Sequence, residues 1–535
     1  MNMSIKNLLS FFLLVIAIPV AAQQHFEKRI DIGQTTNAFS IAQYPGGDYI
    51  ICSRYRDSAT PPDNSRISLT KTDESGKILW MKSSITLFSD YFASAFATHD
   101  LGFTLVTEVA VGSNYRTAVI KFDSTGNAQW TRVLGTTSKV KDSRGLKGIE
   151  TSDHGYAIIS TGCVVTKLDS VGKFVWSHAV CKTSATLGDI IQGADSSLYI
   201  SASDLDFHRT EIIHLSVTGS LLWHILYKVA DSILFTDGAC MTRSGDGGFV
   251  LSGLLQDTTK SWVHFIKVDS AGAFQWNKRI EVEGSAYFES IAQAANGDLL
   301  YTGEVTKDPL SPTSDSMLLI RLSQTGDVKL VTMMTMPNIT SYANAVITSI
   351  DSSFVVVGTM YRITAESGGV GNTGLLLMKF REENDVCNLE SIPFTTPSFA
   401  MTFDRLDTMY DPMMNWDTLP TQASAPLNYK EVDLCSVNGV AETRPVSQSL
   451  SLYPNPLPEG KQLVIHTTDD LPSSTYEISL LDLLGNIVIK EKVSVANAGQ
   501  DIFFDIPKCA SGMYMIELQS ISNLQIYYRE KFIKQ

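Results

Sequence analysis

The sequence predicts an all-β chain: a seven-bladed β-propeller followed by a C-terminal Ig-like β-sandwich. A twelve-residue phrase recurs along the first two thirds of the chain, clearest as VIKFDSTGNAQW (Val119 to Trp130). A second phrase, a polar turn leading into a short apolar strand, precedes each copy, as in HDLGFTLVT (His99 to Thr107) and GDGGFVLSG (Gly245 to Gly253). About seven further short strands occupy the last 85 or so residues, with turn signals at sandwich-like spacing.

Residues 1–22 read as a signal peptide. Lys6 supplies the positive end, Leu8 to Val20 the apolar stretch, and Val20-Ala21-Ala22 the small-residue cleavage site. The apolar stretch is too short for a membrane span, so no transmembrane segment is expected in the mature chain.

Residues 23–385 carry the repeats. The phrase returns at Leu69 to Trp80, Val165 to Trp176, Ile212 to Trp223 and Phe265 to Trp276, with worn copies at Leu319 to Leu330 and Leu377 to Asn388. Each alternates like a strand, turns at Asp-Ser-x-Gly and opens a second strand on an aromatic residue. The turn glycines Gly76, Gly126, Gly172, Gly219, Gly272 and Gly326 are 46 to 54 residues apart, and Trp80, Trp130, Trp176, Trp223 and Trp276 share one repeat position. Four short strands per unit of about fifty residues is the unit of a propeller blade. The seventh unit runs into Glu382, Glu383 and Asn384 where its fourth strand should start, whereas FEKRIDIG (Phe26 to Gly33) looks like a fourth strand with no unit before it. Strand 26–32 is therefore expected to complete the last blade and close the ring.

Residues 386–446 differ. They are rich in Pro, Thr, Asp and Met and show no sustained period, so an irregular segment is expected. Phe399, Tyr410 and Trp416 make it too apolar for a free linker, and it is expected to pack on the propeller. Seven cysteines in an exported chain invite pairing. Cys387 and Cys435 bracket the irregular segment and are expected to bridge. Cys163 and Cys181 face each other across the third hairpin, as a cross-strand disulfide or as two reduced core thiols. Cys52 and Cys240 read as small core residues.

Residues 447–535 carry Tyr453-Pro454-Asn455-Pro456, the Asp482-x-x-Gly485 turn, Ala510-Ser511-Gly512-Met513-Tyr514 before a strand, and Lys531-Phe532-Ile533-Lys534 at the end. In that order they resemble the type A C-terminal sorting domain of the type IX secretion system in Bacteroidetes. The resemblance implies passage through the periplasm, then a translocon and sorting machinery that read residues 447–535, and release or anchoring at the cell surface. The repeats also resemble uncharacterised seven-bladed propellers carried by that system, which bring no catalytic residues with them.

Composition narrows the partners. With 42 Lys and Arg against 56 Asp and Glu, a net charge of −14 and no basic cluster, the chain is unsuited to nucleic acid. No zinc-protease, nucleophile-elbow or Walker motif occurs, so no catalytic residue, metal or cofactor is expected from motifs. His208, His214 and His224 fall in one blade, but His214 replaces the repeat lysine and His224 follows the repeat tryptophan. The reading is a monomeric binding or adhesion platform for an extracellular glycan or protein. The alternative is a polysaccharide hydrolase or lyase whose carboxylates converge at one mouth of the propeller channel.

Overall fold

The computed structural model describes residues 25–31, 35–56, 65–84, 93–111, 114–136, 145–181, 185–204, 209–229, 235–257, 260–306, 315–334, 336, 339–363, 370–382, 385–398, 400–406, 414–418, 424–426, 430–433, 451–453, 458, 462–466, 474–481, 487–495, 501–506, 512–520 and 526–534. The signal-peptide segment lies outside them. The chain divides into two compact units, Met1–Val432 and Asp433–Gln535.

Seven antiparallel sheets make up the first unit, each the meander that the repeat implies. Blade one runs Thr35–Gln43, Tyr49–Arg56, Ser65–Thr72 and Ile78–Ser84, and blade seven begins with Ile339–Thr348, Phe354–Ile363 and Val370–Phe380. The fourth strand of blade seven is Phe26–Asp31, antiparallel to Val370–Phe380 with Phe26 opposite Lys379. Ile30 is wholly buried in a cluster with Ala38, Ile51, Val355 and Leu377, so hydrophobic burial as well as hydrogen bonding closes the ring. Equivalent clusters lie between neighbouring blades, for example between one and two and between five and six.

The repeat residues hold blade to blade. Lys71, Lys121, Lys167 and Lys267 stand opposite Trp80, Trp130, Trp176 and Trp276, and Lys379 stands opposite Phe26, which takes the tryptophan's place in blade seven. Each aromatic covers the turn glycine of the next blade. A Cβ on Gly126 would come within 2.8 Å of Trp80, one on Gly172 within 2.9 Å of Trp130, and one on Gly76 within 2.7 Å of Phe26. Trp176, Trp223 and Trp276 meet Gly219, Gly272 and Gly326 in the same way. The worn copies match this pairing: blade six has Leu330 in place of tryptophan, and blade seven lacks the glycine it would cover.

The repeat lysines are paired, and all but Lys71 are buried. Lys121 lies 2.8 Å from Asp100, Lys167 3.0 Å from Asp153, Lys267 2.8 Å from Asp246 and Lys379 2.8 Å from Asp351. In each pair the carboxylate comes from the turn between the first and second strands. Lys121, Lys167 and Lys267 also donate to the carbonyls of Phe122, Leu168 and Val268, leaving no buried ammonium uncompensated. Blade six uses Arg321 with Asp298 at 2.9 Å.

Among the described residues, segment 386–446 is strand-forming rather than irregular. It lays short strands on the outer rim: Leu389–Ser391 on blade six, Phe394–Thr395 on five, Met401–Leu406 on four, Met414–Thr418 on two, Ser424–Pro426 on one and Lys430–Asp433 on the closing strand of seven. Among the described residues blade three alone receives no fifth strand, and beside its outer edge lies a Cys163–Cys181 disulfide. The belt escaped notice in the sequence because strands of two to six residues are too short to show alternation, and their partners are far away in the chain. Their role is to occupy open sheet edges. At its start, the Cys387 N–H and the Asn388 amide donate to Glu27 of the closing strand, where the belt also ends. Cys435, and with it the expected bridge to Cys387, lies outside the described residues.

The second unit is a sandwich. A three-stranded sheet (Ser451–Tyr453, Leu463–His466, Asp501–Phe504) and a four-stranded sheet (Ser474–Leu481, Ile487–Val495, Gly512–Ser520, Ile526–Lys534) bury Leu463, Ile465, Tyr476, Ile478, Phe504, Ile516 and Leu518 together.

Candidate functional site

The inner strands of the seven blades enclose a channel of ≈ 660 Å³. Bulges shape its wall. The pairing of first and second strands slips between Ala38 and Ser40, Gly145 and Lys147, Leu187 and Ile190, and Ala343 and Ala345. Each slip places an extra residue against its partner strand and redirects a side chain. Phe39, Leu146, Asp189 and Asn344 at these slips all line the channel.

Two polar groups result. Lys147 lies 2.6 Å from one oxygen of Asp189, whose other oxygen accepts the Met241 N–H at 2.9 Å, so this pair is internally satisfied. The second group spans blades six, seven and one at the channel end where blades connect to one another. Tyr342 and Tyr361 meet edge to face at 5.2 Å, and the Tyr342 hydroxyl donates to Asp315 at 3.0 Å. The Tyr361 hydroxyl lies 2.7 Å from the Asn37 amide, which in its rotated orientation accepts from Arg54 at 3.0 Å. Thr359 donates to Asn344 at 3.0 Å.

Glu304 lines the wall beside them. Burial, reinforced by the nearby Asp315 charge, pushes its carboxyl up to about 7. Burial also raises the phenols of Tyr342 and Tyr361, so both hydroxyls stay protonated. The group thus offers two aromatic rings, two amides, hydroxyls and a carboxyl able to donate a proton near neutrality.

These residues were not singled out in the sequence. A signal was present: the sixth residue of the second strand is Arg54, Glu108, Ser203, Glu304 or Thr359 in five blades, so polar groups interrupt otherwise apolar strands. The three histidines noted in blade four do not converge on a site. His214 stacks on Tyr199 at 4.0 Å and His224 bonds Glu211 at 2.8 Å, both buried in the blade, while His208 lies outside the described residues.

In the second unit the Tyr453 hydroxyl donates to Asp501 at 2.9 Å, and His466 binds the same carboxylate at 2.6 Å. Tyr514 is buried in the sandwich core, and Gly512, Lys531 and Lys534 lie on the last two strands, Gly512 opposite Lys534. Pro454, Asn455, Pro456, Asp482, Gly485 and Ser511 lie outside the described residues.

No curated protein matches the chain in sequence. Among solved structures it is similar to a streptogramin B lyase, at 12% identity and a TM-score of 0.43, over 67% of this chain and 99% of that one. It is similar to virginiamycin B lyase from Staphylococcus aureus at 11% identity and a TM-score of 0.43, over 66% and 99%. PorZ, a surface component of the type IX secretion system of Porphyromonas gingivalis, matches at 8% identity and a TM-score of 0.30, over 93% and 81%. Among the described residues no helix is long and apolar enough to cross a membrane. Residues 451–535 match the family model of the secretion system C-terminal sorting domain. The chain is therefore cargo of the type IX secretion system, a β-propeller sent to the cell surface or exterior by the sorting domain at its C-terminal end.

Proposed function

We propose that the propeller is a binding platform that takes a glycan into the channel mouth formed by blades six, seven and one. One observation carries this reading: Tyr342 and Tyr361 stand edge to face beside Asn37, Asn344, Thr359 and Glu304. Aromatic faces suit the apolar side of a sugar ring, and amides and hydroxyls match its hydroxyl groups. The test is a glycan array probed with the full chain, followed by titration of any hit against Tyr342→Ala and Asn344→Ala. Binding should fall tenfold or more in each variant; an array without hits, or hits that both variants bind equally well, would count against the reading.

A hydrolase is favoured by the Glu304 carboxyl alone, since an acid near 7 is poised to protonate a leaving oxygen. Incubation of array hits with wild type and Glu304→Gln separates the two readings. New reducing ends made by the wild type and lost in the variant indicate an enzyme; binding retained in both without cleavage indicates a platform.

A further inference from the structure

The end of the propeller opposite this mouth carries the tight turns, and one place there breaks the repeat. Seven five-residue turns join first to second strands: 44–48, 98–102, 151–155, 193–197, 244–248, 294–298 and 349–353. Their second positions are Pro45, His99, Ser152, Ala194, Gly245, Ala295 and Ile350. Their fourth positions, all left-handed, are Gly47, Leu101, His154, Ser196, Gly247, Gly297 and Ser352. Histidine occurs once in each series, on adjacent blades, and His154 holds a φ of 59° that glycine would adopt without cost.

The third departure sits between them. Where an inner strand ends, the side chains of Gln43, Gln192 and Gln293 accept a backbone N–H from a neighbouring blade's turn. In blade three that residue is Glu150, which accepts the His99 N–H at 2.8 Å. An amide oxygen does the same work elsewhere, so the negative charge is surplus to the turn.

We propose that His99, Glu150 and His154 form a zinc site strapping blade two to blade three. One ligand atom from each lies within 4.8 Å of the others. Glu150 Oε1 is 2.5 Å from His99 Nδ1 and 4.0 Å from His154 Nδ1, and the two imidazoles face each other at 3.7 Å. Two ligands on a tetrahedral zinc stand about 3.4 Å apart, between those two separations, so small side-chain rotations suffice. Two imidazoles and one carboxylate suit zinc rather than calcium or magnesium, which take oxygen ligands. Both imidazoles are about half exposed, which leaves a coordination position open to water or to a donor atom from outside.

The test is calorimetric titration of zinc chloride into tag-free full chain that has been stripped with chelator. One zinc per chain should bind, and His154→Gly and Glu150→Gln should each weaken it tenfold or more. Both variants install the residue that other blades use at the same place, so neither threatens the fold; an unchanged melting temperature without metal checks this. His466→Ser, in the sorting domain, should leave binding unchanged. Absence of stoichiometric binding, binding by both blade variants as tight as by the wild type, or loss of binding only in His466→Ser overturns the proposal.

Discussion

The two ends of the propeller are built to opposite rules. At one end, turns of five residues with the same pair of backbone hydrogen bonds recur in every blade, and buried cations fasten those of blades two, three, five, six and seven. At the other, the connection between second and third strands varies from two residues after Val111 to eight after Arg56 and after Thr306. Sameness marks the end that holds the ring, and variety marks the end free to meet a ligand. Their responses to pH should also oppose. Partial burial works against ionisation of Asp100, Asp153, Asp246 and Asp351, but hydrogen bonds from the paired lysines and turn N–H groups outweigh it and hold these carboxyls below the usual range. Their stabilisation is present above the unfolded value of about 4 and is lost as pH falls through the lower folded values. Glu304 is raised, so its contribution is present below about 4.3 and is lost as pH climbs through about 7.

Breaking the rim should affect both ends most. The belt starts and finishes at the closing strand, and we propose the Cys387–Cys435 bridge as its clasp. A loop of that length contributes about 4 kcal/mol through the unfolded state. Cys435→Ser should lose that in denaturant melts, and non-reducing peptide mapping should recover the linked pair from wild type; two free thiols would refute the clasp. Gly155→Ala attacks the turn end. Its Cβ would fall 2.2 Å from Lys167 Nζ and 2.4 Å from the Leu168 carbonyl, so a loss of about 3 kcal/mol is expected. Asp246→Ala leaves Lys267 buried without its carboxylate and should cost about 2 kcal/mol, less than a fully buried pair because Asp246 is 40% exposed. At the loop end, Glu304→Gln should abolish the decline in melting temperature between pH 5 and 8 and leave the acid limb in place; parallel declines in both proteins would erase the contrast. Gly245→Ala, with nothing nearer than 4.0 Å to its new Cβ, should shift stability by less than about 0.5 kcal/mol.

What could be read in the sequence follows the same divide. Blade number and the closing role of Phe26–Asp31 were legible because the turn end repeats, and Phe26 stands where a tryptophan would be. The sorting domain was legible from motifs in fixed order. The channel group was not, because Glu304, Tyr342, Tyr361 and Asn37 come from three blades and share no spacing. Nor was the zinc triad: His99 and His154 occupy different positions of their turns, and their kinship with Glu150 appears only when blades two and three are side by side. The belt was hidden for a third reason, since a strand's identity there depends on the partner edge rather than on its own residues.

The belt also dictates when the protein can mature. Its strands dock on blades six, five, four, two, one and seven in that order, so their templates must already exist, and the last template, Phe26–Asp31, is the first strand among the described residues. Contacts of such long sequence separation form slowly. The belt stays incomplete until Lys430–Asp433 reaches Phe26–Asp31, so the closing of the ring and the covering of its rim meet on one strand.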